Sequence, residues 1–242
     1  KEGKKPAAKA IVAEDIERNK DVLEGIYAGI TGFERLKEGE HEDIVARGGF
    51  PTYGEITYDS WQAILDDLAQ ERGIFPTDEF MDFGCGVGKV AIQTYLNTPV
   101  RRSRGIDLAE TRLKRAQQVK DKLDEMGLLE KGRKLEFKHG SMLEENLKGL
   151  TIGYTCSTCF SHELMHALME MLSKLKKGFI FYTLKELPSD YEDYGFKLVK
   201  IYQLPMTWAK DVPVHMYELV GKAKKKDKDL KAEKSKGKAR KK

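Results

Sequence analysis

The nine residues Phe80-Met81-Asp82-Phe83-Gly84-Cys85-Gly86-Val87-Gly88 constrain this chain more than any other stretch. A short apolar run reads as a buried strand, and glycine then occupies every second position. Lys89-Val90-Ala91-Ile92-Gln93 restarts an apolar pattern of helical kind. Strand, glycine turn and helix form the ligand corner of a doubly wound α/β sheet. Glycines let the backbone turn sharply and expose N–H groups that a Cβ would shield. The helix N-terminus behind them carries partial positive charge.

The spacing is G-x-G-x-G, not the dinucleotide fingerprint G-x-G-x-x-G, and Asp82 precedes the first glycine by two positions. A carboxylate there is poor chemistry for a pyrophosphate. It suits a ligand carrying an ammonium group, as the methionine part of S-adenosylmethionine does. Arg104-Gly105-Ile106-Asp107 reads as a second strand, whose acid lies 19 residues beyond Gly88. That is the distance at which an Asp or Glu meets ribose hydroxyls.

The rest of the chain continues the alternation. Helical spacing runs from Ile11 to about Ile30, a charged and glycine-bearing connection follows at 37–50, and a helix is expected from about Tyr58 to Ala69. The helical segment before residue 50 is expected to pack on or cover the later domain. After the strand–turn–helix of about 80–97 come strand 104–107, helix 109–126, strand 135–139 and the turn Gly140-Ser141-Met142. Strand 151–155, helix 162–176 and strand 179–183 follow, with Gly178 as a helix stop. Residues 196–202 and about 213–220 read as strands with no helix between them, hence an antiparallel pair. This predicts a seven-stranded, mostly parallel, doubly wound sheet of Rossmann-like, class I methyltransferase layout, closed by a terminal antiparallel hairpin. The expected division is an N-terminal helical extension (1–50), a catalytic domain (51–221) and a disordered lysine-rich tail (222–242).

Charge separates the tail from the body. Residues 222–242 hold 12 Lys/Arg against 3 Asp/Glu, so the other 221 residues carry 31 basic and 36 acidic groups within a net +4. Such a tail is a solvated, solubilising segment or a non-specific clamp on DNA phosphates. No run of about 18 apolar residues occurs, so no membrane helix is expected. Nor does an apolar stretch follow the opening Lys-Glu-Gly-Lys-Lys, which argues against a signal peptide. Three cysteines point to a reducing compartment.

Three separated segments together resemble the disruptor-of-telomeric-silencing family of non-SET histone lysine methyltransferases. They are the loop Thr52-Tyr53-Gly54-Glu55, the turn Asp82 to Gly88, and Trp208 followed by Pro213-Val214. The resemblance spans roughly residues 45–220. It implies transfer of methyl groups from S-adenosylmethionine to a lysine on the globular surface of a nucleosomal histone, in the nucleus, with the nucleosome or histone as partner. It places Thr52, Tyr53, Gly54 and Glu55 over the methionine end of the cofactor, and Asp82, Gly84, Cys85, Gly86 and Gly88 beneath it. Asp107 is implied at the ribose, and Ser141 and Met142 flank adenine where the family has an acid and an aromatic. Ser157, in Cys156-Ser157-Thr158-Cys159-Phe160, falls where the family has an orienting asparagine. Trp208, Phe160 and Tyr217 are the implied walls of a lysine channel; Tyr217 is one residue out of register with the family's tyrosine. The Ser157 departure and the basic tail keep a second reading open: a chromatin- or nucleic-acid-binding protein that retains the fold with weak or no catalysis. Methylation of a non-histone protein is a third.

Two further motifs compete. His162-Glu163-Leu164-Met165-His166 matches the zinc-protease pattern H-E-x-x-H, but a third ligand at compelling spacing is lacking, and surface polar residues near a helix start are the expectation. Cys156-x-x-Cys159 precedes the same helix, where a helix N-terminus would lower a thiol pKa. Small residues filling the cofactor floor are the favoured reading of these cysteines and of Cys85.

Overall fold

The computed structural model describes residues 12–221. The basic segment 222–242 and its expected disorder therefore lie outside the described residues.

Two helices precede the sheet region, α1 (Ala13–Tyr27) and α2 (Glu40–Ala46). Helix α3 (Tyr58–Glu71) leads into β1 (Glu79–Phe83), α4 (Lys89–Asn97), β2 (Arg102–Asp107), α5 (Glu110–Glu125) and β3 (Lys134–His139). Strand β4 (Ile152–Thr155), α6 (His162–Leu172), β5 (Ile180–Thr183), β6 (Phe196–Leu204) and β7 (Val212–Leu219) complete the chain. Among the described residues the strands form one seven-stranded sheet in the order β3-β2-β1-β4-β5-β7-β6. The first five pair in parallel, whereas β7 runs antiparallel to both β5 and β6. The order reverses at β1 and β4, and in such sheets the ligand crevice opens beyond the carboxyl ends of the strands at that point.

Alternation along buried β1 sends its side chains to two apolar layers. Phe80 joins Trp61, Ile64, Leu68, Tyr154 and Tyr182 beneath α3. Met81 and Phe83 join Phe181, Met165, Leu168 and Met169 beneath α6. Trp61 is the centre of the first layer: its ring lies 4.8 Å from that of Tyr154 and its Nε1 donates to Thr94 Oγ1 at 2.8 Å. A third layer joins α1 to the body, with Leu23 and Ile26 packed among Ile92, Tyr95, Val119 and Leu123.

Two elements depart from the sequence expectation. The connection 37–50 contains helix α2, entered through Gly39 at φ +80°, and Ile44 is its one buried residue. A single apolar anchor leaves no periodicity to detect. Helix α6 stops at Leu172, its last buried side chain, rather than near 176, and Ser173 Oγ turns back to donate to Glu170 O at 2.8 Å.

Candidate active site

The glycine turn is tied to the sheet by its own backbone. The N–H groups of Gly84 and Cys85 both donate to Ile106 O, at 2.8 and 3.0 Å, so the turn sits on the end of β2. Gly86 N–H donates to Asp107 Oδ2 and Ala109 N–H to Asp107 Oδ1, each at 2.7 Å. One carboxylate therefore joins the glycine turn to the start of α5. Burial raises the Asp107 pKa, and these backbone hydrogen bonds oppose that rise. Gly86, at φ +53°, has no room for a side chain: a Cβ would meet the Tyr53 ring at 2.4 Å.

Asp82 lies below this turn, 2% exposed, and its Oδ1 is buried with no hydrogen-bond partner. Burial, and next the neighbouring Asp107, raise its pKa well above the ordinary carboxylate value. A buried acceptor of this kind is costly unless something donates to it.

A cavity of about 520 Å³ opens over these groups. Gly84, Ile106 and Asp107 form its floor, Gly140, Ser141, Met142 and Leu108 one side, and Cys156, Thr158, Cys159 and Phe160 the other. Across from the floor stand Thr52, Tyr53, Gly54, Thr207 and Trp208, and Phe33, Ile44, Arg47 and Phe50 complete the wall. Asp107 is the one acidic residue of this lining. Trp208 packs against Gly54, where a Cβ would come within 2.4 Å of the indole.

Tyr53 is locked in place. Its ring lies against Gly32 and Gly86, with the Arg112 guanidinium 4.7 Å from the ring centroid. Arg112 Nε donates to Gly32 O at 3.2 Å and Nη2 to Pro51 O at 2.5 Å. The Tyr53 hydroxyl donates to Glu55 Oε1 at 2.5 Å, and Lys89 Nζ meets Glu55 Oε2 at 2.6 Å. Burial and then the Glu55 charge raise the Tyr53 pKa, so it remains a hydroxyl donor.

Of the residues expected from sequence, Thr52, Tyr53, Gly54, Gly84, Asp107, Ser141, Met142, Phe160 and Trp208 come together on this cavity. Asp82, Cys85, Gly86 and Gly88 lie in or under the turn that supports it rather than in its lining. Glu55 is also outside the lining, engaged by Tyr53 and Lys89. Ser157 and Tyr217 sit elsewhere. The Ser157 hydroxyl is fully buried, bonded to Thr183 Oγ1 at 2.7 Å and accepting Lys185 N–H at 2.9 Å, so it fastens β4 to β5. Tyr217 is buried on β7 against Tyr191 and His215, its hydroxyl accepting Leu187 N–H at 3.2 Å. It points into the layer under α6, not toward the cavity.

Residues missed from the sequence are Arg112 and the wall of Phe33, Ile44, Arg47 and Phe50. Arg112 carried a signal: it shares the helical face of Ala116, Val119 and Leu123, where a charged residue is out of pattern. The competing motifs fall away. His162 and His166 face each other at 6.4 Å and His166 contacts Asp190 at 3.4 Å, but among the described residues no three His, Cys, Asp or Glu side chains converge as a metal site. Cys156 is not activated by the helix start. Burial, and next the Asp82 charge, push its thiol up to about 12, and its Sγ donates to Gly54 O at 3.5 Å.

The family model for the histone methylation protein DOT1 matches residues 47–200 of this chain, more than half of its length. The chain belongs to the DOT1 family. The match takes in the Tyr53-Gly54-Glu55 loop, the glycine turn and Asp107, but ends before Trp208. A DOT1-type relative, the histone-lysine N-methyltransferase, H3 lysine-79 specific, of Caenorhabditis elegans, is 28% identical over 156 residues. That alignment takes in 60% of this chain but only 16% of the relative's length. Among solved structures, a putative RNA methyltransferase from Pyrococcus horikoshii superposes with a TM-score of 0.54 at 13% identity, over 85% of this chain and all of that one. An RNA methyltransferase from Salinibacter ruber, solved with S-adenosyl-L-homocysteine, gives 0.51 at 15% identity, over 68% of this chain and 95% of its own. With the observed strand order, these neighbours make the fold that of class I methyltransferases.

Proposed function

We propose that this chain is an S-adenosylmethionine-dependent protein lysine N-methyltransferase whose substrate is a histone lysine on the nucleosome. The observation that carries the reading is the orphaned Asp82 Oδ1, buried beneath the glycine turn that floors a cavity whose walls include Trp208 and Phe160. DOT1 family membership supports it independently.

The residues present fit the cofactor. The unpartnered Asp82 carboxylate is suited to an ammonium group, and Asp107, whose two oxygens each retain a lone pair after their backbone bonds, is suited to a pair of hydroxyls. Apolar Ile106, Leu108 and Met142 suit a flat base beyond it. Bound there, S-adenosylmethionine supplies a methyl group activated by a sulfonium. What the chain's own residues contribute is positioning and desolvation. A lysine side chain has a pKa of about 10.4 and is almost wholly protonated at neutral pH. The aromatic faces of Trp208 and Phe160 exclude water around an entering amine, which disfavours the ammonium and favours the nucleophilic neutral form. Tyr53, held by Arg112 and Glu55, keeps the roof of the cavity closed against the glycine turn. The cavity lining offers no general base beside the aromatic end, so the amine loses its proton to water before transfer.

We assign catalysis to residues 51–221, with residues of the segment 33–50 supplying one wall, and place the protein in the nucleus on the strength of its substrate class. The basic segment 222–242 is proposed as a DNA contact. Deleting it should weaken nucleosome binding and flatten its dependence on salt; an unchanged salt slope would remove that role.

The test is incubation of the full chain with methyl-labelled S-adenosylmethionine and, separately, nucleosomes, free histones and tRNA. Label on a histone lysine of nucleosomes is expected. Label confined to RNA would overturn the substrate, and product binding with no transfer to any of them would favour a binding protein on the same fold.

A further inference from the structure

The β4–α6 loop carries a feature that methyl transfer does not use. Cys156 and Cys159 both line the cavity, three residues apart, on a segment fixed at each end. On one side Ser157 is bonded to Thr183 and to the Lys185 amide. On the other, Ser161 caps α6 by accepting Leu164 N–H at 3.1 Å. Between them Phe160 N–H donates to Ser157 O at 2.9 Å, closing a turn that includes Cys159 and starts one residue after Cys156, and Cys159 is near enough to add to the cost of ionising Cys156. Cys85, the other cysteine among the described residues, is buried inside the glycine turn.

We propose that Cys156 and Cys159 form an oxidation site in the cavity wall, joined by a hydroperoxide into an intramolecular disulfide that weakens the cavity's hold on its cofactor. This rests on reading the cavity as the cofactor's. Exposed Cys159 takes the first step. Its sulfur attacks the peroxide, the O–O bond breaks, and an alcohol or water leaves as Cys159 becomes a sulfenic acid. Cys156 sulfur then displaces the hydroxyl, which leaves as water with the Cys156 proton. Two thiols lose two electrons, and one peroxide is reduced. Burial explains the order, since Cys156 ionises with more difficulty than an exposed thiol.

The consequence follows from what Cys156 holds. Its S–H is the donor to Gly54 O, and Gly54 is the residue on which Trp208 lies. A disulfide removes that donor, and with it the tie between the β4–α6 loop and the Tyr53-Gly54 loop. The change therefore reaches the wall beneath Trp208.

The experiment treats the reduced full chain with hydrogen peroxide, blocks free thiols, and maps disulfides by mass spectrometry of proteolytic peptides. S-Adenosylhomocysteine binding is measured by calorimetry before and after. Expected is a peptide two hydrogens lighter with Cys156 and Cys159 linked, affinity lowered about tenfold or more, and recovery on adding dithiothreitol. The Cys159→Ser variant should keep its own affinity through the same treatment. Linkage to Cys85 or between molecules, no linkage, or a linked protein with unchanged affinity would each overturn the proposal. If reduced protein does not bind S-adenosylhomocysteine at all, the cofactor reading fails instead, and peptide mapping alone decides whether the thiols form a site.

Discussion

The floor of the cavity and the wall across from it are built in opposite ways. The floor comes from one run of chain, residues 82–109, in which Asp107 accepts from Gly86 and Ala109 and the turn hangs from Ile106. The opposite wall is held by α5 reaching back across 61 to 81 residues, through Arg112 to Gly32 and Pro51 and through Arg115 to Glu34. The floor is buried, with a carboxylate left unpartnered; the wall leaves Phe33 and Phe50 exposed. On the reading proposed above, a buried floor with one unpartnered carboxylate oxygen recognises the cofactor, and a wall clasped by Arg112 and Arg115 encloses it.

The largest effect should come from the floor. Asp82→Asn removes the charge from a buried carboxylate that we pair with an ammonium, a loss of roughly 2–5 kcal/mol for such pairs. S-Adenosylhomocysteine affinity by calorimetry should fall about a hundredfold. The same variant without ligand should melt higher. The folded-state pKa of Asp82 is raised, so the folded chain holds this proton where the unfolded chain, with a pKa of about 3.9, has released it. Wild-type stability from this group is therefore lost as pH rises above that value. The gap between variant and wild type in thermal melts should widen from about pH 4 upward. A variant that melts lower at pH 7 would show that Asp82 serves stability instead.

An intermediate effect belongs to the aromatic end. Trp208→Ala should lower methyl transfer to nucleosomes about tenfold, comparable to losing part of a positioning wall. S-Adenosylhomocysteine affinity should stay within about threefold, because Trp208 is 45% exposed at the rim. Equal losses in both would make Trp208 a cofactor residue. The smallest effect is expected at the clasp. Arg112→Lys keeps the charge but cannot bridge two carbonyls and stack on Tyr53 together. Affinity should weaken about threefold and the melting midpoint drop by a few degrees, in keeping with roughly 1 kcal/mol in a chain of this size.

The same contrast explains what was legible in the sequence. Strand, turn, helix and the acid after β2 follow local periodicity and spacing, and so the sheet, the glycine turn, Asp82 and Asp107 could be read directly. The terminal antiparallel pair was legible because no helix separates β6 from β7. Ile44, Phe33 and Arg47 were not, since α2 has one buried residue and its docking depends on Glu40 accepting from Thr111, 71 residues away. Ser157 and Tyr217 misled for a related reason. Their positions along the chain matched a motif, but side-chain direction is set by packing: Ser157 turns to Thr183, and Tyr217 turns under α6. The thiol activation weighed against a filler role for Cys156 is not found, because burial and Asp82 outweigh any helix-dipole effect.

The central claim is that Asp82, whose carboxyl burial holds well above the ordinary carboxylate value, receives the cofactor's ammonium as a carboxylate. It is tested most directly by titrating S-adenosylhomocysteine into wild type and Asp82→Asn calorimetrically at one pH, in two buffers of different ionisation enthalpy. The account predicts that wild type binds with proton release, read as a binding heat that depends on the buffer, and that the variant loses both affinity and release. Tight binding by both proteins with the same, buffer-independent heat would contradict it.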